Sequence, residues 1–266
     1  MDISPATYDN LSIEVSDGVA TVTLDRPEVL NAFNMALKNE LASAINFLSG
    51  DPLTRCVVIT GAGKGFSAGT DIGEMGLNDS PVSSRQRLQT LLREVYIPLA
   101  EMEKPTIASV NGYAFGSGLS LAMACDMIIA SRDASMSCAF TSMGLLPDCG
   151  SLYFLPRRLP MNLAKDLIFT GRRISADEAL EMNLINKVVA AEELAGVSQE
   201  LARRLAAGPT LAYGISKRLL DRSLETPLHE MAMLEEFGQA VLLSTDDHVA
   251  ARDAFVNKSR ATFQGH

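Results

Sequence analysis

Tryptophan is absent from the 266-residue chain, and histidine occurs only as His229, His248 and His266. These three are scattered late in the sequence. They form no metal-spaced cluster and pair with no nucleophile, so neither a zinc centre nor a Ser–His or Cys–His device is indicated. Cysteine is also scarce. Cys56, Cys125, Cys138 and Cys149 make no CxxC pair and read as buried, reduced thiols of a cytoplasmic protein. Positive charge is in deficit: Lys plus Arg number 23 against 32 Asp plus Glu, a net charge of −9. Such a surface repels phosphate backbones, so nucleic acid is not an expected partner. A small basic site for a phosphorylated ligand remains compatible with it. The opening MDISPATYDN has neither a basic stretch nor an apolar one, and no secretory signal is expected. The run 105–125 carries no charge and has the length of a membrane helix. Asn111, Gly112, Gly116, Ser117 and Gly118 interrupt its middle, so it reads as strand, turn and helix inside a protein core. No fixed-period repeat or low-complexity linker occurs.

What remains is an ordinary globular composition, 47% hydrophobic and 21% charged. The length suits one large domain, or one with an appendage. Residues 11–25 read as a hairpin turning at Asp17-Gly18. Positions 34–48 have helical spacing with Asn34 as cap. CVVIT (56–60) and TIASV (106–110) are short apolar strands, each followed by a glycine-rich loop. Residues 85–101 and a segment starting near Ser117 read as helices, and 126–130 as a strand. Alternation of strand and helix predicts an α/β core with parallel pairing. Beyond about residue 160 the chain is mainly helical: Ser175 with Glu178 fits a capping box, and 191–206, 209–223, 227–243 and 246–258 show helical spacing. The expected division is a core of 1–200 and a C-terminal helical region of 201–266.

The loop 61–71, GAGKGFSAGTD, is no phosphate loop, since Gly63-Lys64 is followed by Gly65 rather than Ser or Thr. Its spacing also fails the dinucleotide fingerprint. The loop 111–118, NGYAFGSG, leads into a helix whose first N–H groups lack partners. Two such donors converging from separate loops would make an oxyanion hole, and tight turns without a catalytic role are the alternative.

Six blocks together resemble the enoyl-CoA hydratase/isomerase (crotonase) superfamily. They are RPEVLNAF (26–33), GFSAGTDI (65–72), NGYAFGSGLSLAMACD (111–126), AFTSMGLLPDCGSLYFLPR (139–157), TGRRISADEALEMNLINKVV (170–189) and AFVNKSRATF (254–263). The resemblance implies an α/β fold, a spiral of ββα units with C-terminal helices used for trimerisation, in trimers or hexamers. It implies an acyl-CoA substrate, coenzyme A being part of that substrate rather than a permanently bound cofactor. The oxyanion donors would be the main-chain N–H groups of Thr70 and Ser117. Arg26, Val29, Leu30, Ala68, Asp71, Ile72, Tyr113, Phe115, Gly118 and Phe140 would contact substrate or coenzyme. Lys258 matches a position that meets coenzyme phosphates, sometimes on a neighbouring subunit. Met75, Phe115, Phe140 and Leu145 could line the acyl tunnel or simply belong to the core.

Membership leaves the reaction open. Hydratases of the family use two glutamates, and the matching positions here hold Ser120 and Phe140. Hydration needs both an acid and a base, which argues against a standard hydratase. Asp148, in the PDxG motif, resembles the aspartate of the family's isomerases, notably the ring-1,2-epoxyphenylacetyl-CoA isomerase type; as bare sequence it also fits a Pro-Asp turn. Glu74 and Asp79 read as loop charges, and Asp126 as a structural anchor. An atypical hydratase and a non-catalytic CoA- or RNA-binding member are the alternatives to an isomerase.

Overall fold

Strands β1 (Leu11–Ser16) and β2 (Val19–Leu24) pair antiparallel across Asp17-Gly18 in the computed structural model, which describes residues 8–74 and 80–265. Both turn residues have positive φ, 53° and 75°, as a two-residue hairpin with the strands' own twist requires. Parallel pairing then adds β3 (Cys56–Gly61), β5 (Thr106–Val110), β7 (Met127–Ser131) and β10 (Lys187–Val189), giving the sheet order β1-β2-β3-β5-β7-β10. A second, smaller sheet runs β4 (Gly65–Ser67), β6 (Tyr113–Phe115), β8 (Ser135–Ser137) and β9 (Arg173–Ser175). The chain steps from the large sheet to the small one three times, β3 to β4, β5 to β6 and β7 to β8. This is the repeated strand–strand–helix unit that the resemblance implied.

Alternation along β3 builds two cores, because neighbouring side chains on a strand point to opposite faces. Val57 and Ile59 pack with Leu37, Leu41, Ile45 and Leu48 of α1 (Met35–Gly50). Cys56 and Val58 pack on the other face with Leu194, Ala202 and Ala206 of α8 (Leu194–Ala206). A boundary drawn at residue 200 falls inside α8, a helix packed on the sheet. Asn34 caps α1, its side-chain oxygen accepting from Leu37 N at 2.8 Å.

Two expectations are corrected. The segment 85–101 is not one α-helix: α2 (Pro81–Leu91) and α3 (Ile97–Glu101) flank a π-helical turn over Leu92–Tyr96. Pro98 has no N–H for the helical ladder, so the regular repeat cannot run through this point. The capping box is half formed. Ser175 Oγ accepts from Glu178 N at 3.1 Å, but the Glu178 carboxylate takes a 2.6 Å bond from Arg172 instead of reaching back.

The remaining helices are α4 (Ser117–Ala124), α5 (Ser151–Arg158), α6 (Met161–Thr170), α7 (Ala176–Glu181), α9 (Thr210–Arg222), α10 (Leu228–Leu243) and α11 (Asp246–Val256). Asp126 anchors the start of β5 as expected: it accepts from Thr106 N at 2.7 Å and pairs with Lys217 of α9 at 3.0 Å. All four cysteines are free and buried, and burial pushes the Cys56 and Cys125 thiols up to about 12. Among the described residues no helix is long and apolar enough to cross a membrane.

Leu48 is 1% exposed beneath the sheet. Leu48→Ala should therefore cost about 2–5 kcal/mol, the range for emptying a packed leucine site. Urea unfolding followed by circular dichroism measures it; a loss below about 1 kcal/mol would mean that this core is not closely packed.

Candidate active site

Asn31 organises the first loop. It adopts φ +57° and is fully buried. Its side chain accepts from Arg26 N at 2.8 Å and donates to Ala62 O at 3.0 Å and Gly65 O at 2.7 Å. Its own carbonyl accepts from Ser67 Oγ at 2.8 Å. One side chain thus fastens segment 26–33 to segment 61–67, satisfying backbone groups that burial would otherwise leave unpaired. Around it, Ala68 N donates to Leu30 O at 2.8 Å, and Leu30 is itself left-handed at φ +52°. Arg26 reaches Asp71 at 3.2 Å and Ala32 O at 2.6 Å. Val29 and Ile72 stand exposed on the rim, at 38% and 69%. The two sequence blocks are thus joined by side-chain and backbone bonds.

The second loop abuts the first. Gly69 has φ +94°, and a β-carbon there would lie 2.7 Å from Phe115 O and 3.5 Å from Ser117 N. A β-carbon on Gly118 would likewise strike Ser67. Backbone therefore touches backbone, and Thr70 N and Ser117 N end up on adjoining segments. Neither N–H donates to an acceptor among the described residues. Ser117 is the first residue of α4, so its N–H adds the partial positive charge of a helix start. Two free amides in this setting can hold a carbonyl oxygen as it gains charge.

Three further groups surround the donors. Phe140 lies over the start of α4, its ring 3.8 Å from where a Gly116 β-carbon would stand. Tyr113 and Phe115 stack with ring centroids 5.5 Å apart, and Arg173 covers Phe115 at 5.0 Å. Ser120 is fully buried and bonds to Ser151 Oγ at 2.6 Å and Gly116 O at 3.2 Å. Its remaining contact, Asp148 O at 3.5 Å, joins α4 to the turn that carries Asp148.

Asp148 is partly buried, and desolvation raises its carboxyl above the ordinary aspartate range. The Cys149 thiol and the charge of Lys38 on α1 act in the opposite direction. The nearby Leu145 and Leu146 are 45% and 72% exposed. Cys149 is buried with φ +53°, and burial followed by the adjacent Asp148 charge pushes its thiol well up. It is thus no nucleophile. Glu74 is less free than a solvated loop charge, since its carboxylate accepts from Met35 N at 2.6 Å. Met75 and Asp79 fall outside the described residues.

Lys258 is not brought to this site by its own chain. It follows α11, and the tail beyond it runs to Arg55, which bonds Phe263 O at 2.8 Å. Arg55 precedes β3, whose opposite end opens the first loop. A cavity of about 950 Å³ lies elsewhere, between α3, the end of α4, α5 and α9. Sequence reading missed Asn31, Tyr96, Lys38 and Ser151. Of these only Asn31 had a signal, as a small polar residue fixed between a proline turn and a buried phenylalanine.

The fold is a layered α/β spiral in which two glycine-rich loops meet at the strand ends. Comparison with known proteins identifies the family. The family model for enoyl-CoA hydratase/isomerase matches residues 14–266. The 1,2-epoxyphenylacetyl-CoA isomerase of Escherichia coli K12 is 37% identical, covering 94% of this chain and 97% of that protein. The short-chain-enoyl-CoA hydratase of Clostridium acetobutylicum is 35% identical, covering 94% and 96%. A solved enoyl-CoA hydratase from Bacillus anthracis superposes with TM-score 0.91 at 30% identity, covering 97% and 100%. The chain belongs to the enoyl-CoA hydratase/isomerase, or crotonase, family, and is an enzyme of that family, which acts on CoA thioesters.

Because folding raises the Asp148 pKa, the folded state binds more protons than the unfolded one between the ordinary aspartate value and the raised one. Its contribution therefore falls as pH rises through that window and stays unfavourable above it. Asp148→Asn should melt higher than wild type at pH 7, and the difference should shrink as pH falls below the ordinary carboxylate range. Calorimetric scans across pH check this; a variant less stable at pH 7 would mean that Asp148 is held in its ionised form by the fold.

Proposed function

We propose that this enzyme shifts a double bond in an enoyl-CoA, with Asp148 carrying the proton. The observation that bears the most weight is the carboxyl inventory around the donors. Ser120 and Phe140 occupy the positions of the hydratase glutamates, and Ser120 is committed to hydroxyl and carbonyl bonds. Asp148 supplies a single carboxyl, on a turn tied to the donor helix. Hydration needs separate acid and base functions, whereas an allylic shift needs one carboxylate used twice.

In the forward direction, the amides of Thr70 and Ser117 receive the thioester oxygen of a 3-enoyl-CoA. The Asp148 carboxylate removes a proton from C2. The electron pair delocalises through the carbonyl and the C3–C4 double bond as a dienolate, whose oxygen the amides stabilise. Asp148 then returns the same proton to C4, leaving a 2-enoyl-CoA and a free carboxylate. A pKa raised by desolvation suits a group that must both take and give a proton. The surface formed by Arg26, Val29, Leu30, Ala68, Asp71 and Ile72 would hold the coenzyme, and Tyr113, Phe115, Gly118 and Phe140 would border the acyl portion. Lys258 would meet phosphates of a coenzyme bound by another copy. No permanently bound cofactor is required, and a cytoplasmic setting suits the reduced thiols.

Assembly follows the same reading. Only Met231 of α10 is buried, while Leu228 is 86%, Phe237 73% and Val241 53% exposed. So much apolar surface on one helix suits a homotrimer or hexamer. Light scattering at micromolar concentration should return one of these masses; a monomer would rule out this use of α10.

Asp148→Asn should fold and keep its affinity for a saturated acyl-CoA, since neither donor is touched. Its turnover of 3-enoyl-CoA to 2-enoyl-CoA should fall by about 10²–10⁴-fold, the scale of lost acid–base help. Brisk hydration of crotonyl-CoA by wild type and variant alike would overturn the proposal.

A further inference from the structure

The parallel ladder between the two loops ends early. β4 and β6 pair only at Gly65 with Tyr113 and Ser67 with Ala114, with a shift of register between them. The donor residues lie three positions beyond the last pair, Thr70 on one strand end and Ser117 on the other. Past the ladder, backbone bonds tie the Thr70 end to Phe33, whose N donates to Gly69 O at 2.7 Å and whose carbonyl accepts from Asp71 N at 3.1 Å, but no backbone bond joins that end to Ser117 among the described residues. Side chains take over at that point: Thr70 Oγ1 and Ser117 Oγ lie 3.1 Å apart and share a hydrogen bond.

Ser117 is fixed from behind as well. It is 1% exposed, and Tyr96 OH donates to its carbonyl at 2.9 Å. Tyr96 is fully enclosed at the end of the π-helical turn, an irregularity frequent at functional sites. Ser117 is thus the fixed side of the bond. Thr70 is less buried, and its backbone neighbours are tied to Phe33 rather than to the Ser117 segment, so the hydroxyl bond is the direct link between the two donors' residues. The bond joins the very residues whose amides are left without an acceptor among the described residues, so its length bears on the spacing of those amides.

We propose that the Thr70–Ser117 hydroxyl bond sets the separation of the two main-chain donors, making both side chains positioning residues for the thioester oxygen. This rests on the reading of the amides as the oxyanion site. Oxyanion stabilisation is steep in geometry: donors must sit about 2.7–3.1 Å from the charged oxygen, and a misplacement near 1 Å is worth as much as 10²-fold in rate. Without the bond the loop can open by tenths of an ångström while the binding surface for the coenzyme stays intact. The loss should therefore appear in kcat and in carbonyl polarisation rather than in affinity.

The probe is an aryl-acryloyl-CoA bearing a para-dimethylamino group, whose absorbance moves to longer wavelength when its carbonyl is polarised. Wild type should shift the band. Thr70→Val, which keeps the shape and loses the hydroxyl, should lose most of the shift, as should Ser117→Ala. Each should reduce kcat by about 10-fold, within the range for a displaced donor, with Kd for the probe within about threefold of wild type. Thr70→Ser restores a hydroxyl and should recover both readouts. The double variant should be no worse than either single one, because one bond is lost in all three. Full red shift and wild-type kcat in both single variants would overturn the positioning role while leaving the oxyanion site in place. A wild-type complex with no shift would instead overturn the oxyanion reading itself, and the positioning role with it.

Discussion

The carbonyl oxygens of Lys64, Ser67 and Phe115 lie where a β-carbon on Gly112, Gly118 or Gly69 would have to stand. Contact between the loops is therefore possible only with glycine at those three points, and the site depends on that contact. Glycine carries an entropic cost in an ordered segment. Asn31 and Asn111 offset it with side-chain bonds to Ala62, Gly63 and Gly65 carbonyls. The result is a wall of backbone at the strand ends, where the N–H groups of Thr70 and Ser117 have no acceptor among the described residues.

That wall decides what chemistry fits. Fixed amides stabilise charge developing on oxygen without needing to reorganise, and the start of α4 adds to their field. Proton transfer has to come from a side chain beside that wall. Ser120 and Ser151 spend their hydroxyls on each other, and Cys149 is kept protonated by burial. Asp148 is left as a carboxyl whose surroundings favour its neutral form more than water does. The charge of Lys38 on α1 acts against this rise.

Periodicity in the sequence made the strands, α1 and the late helices legible, since burying one face of each demands regular spacing. The interruption at 92–96 was not legible, because apolar spacing continues through a π-helical turn with little change. Thr70, Ser117 and Asp148 were singled out by resemblance, and local physics alone favoured turns. Asn31 escaped notice because its role lies in a left-handed backbone and bonds to residues some 30 positions away. The Ser120–Ser151 pair escaped for the same reason: the partners meet only when α4 and α5 pack.

The most direct measurement is a crystal structure with a saturated, unreactive acyl-CoA bound. Both Thr70 N and Ser117 N should lie about 2.7–3.1 Å from the thioester oxygen, with an Asp148 carboxylate oxygen over C2 and within reach of C4. A thioester oxygen held away from either amide, or an Asp148 carboxyl turned from the acyl chain with Glu74 in its place, would contradict the mechanism.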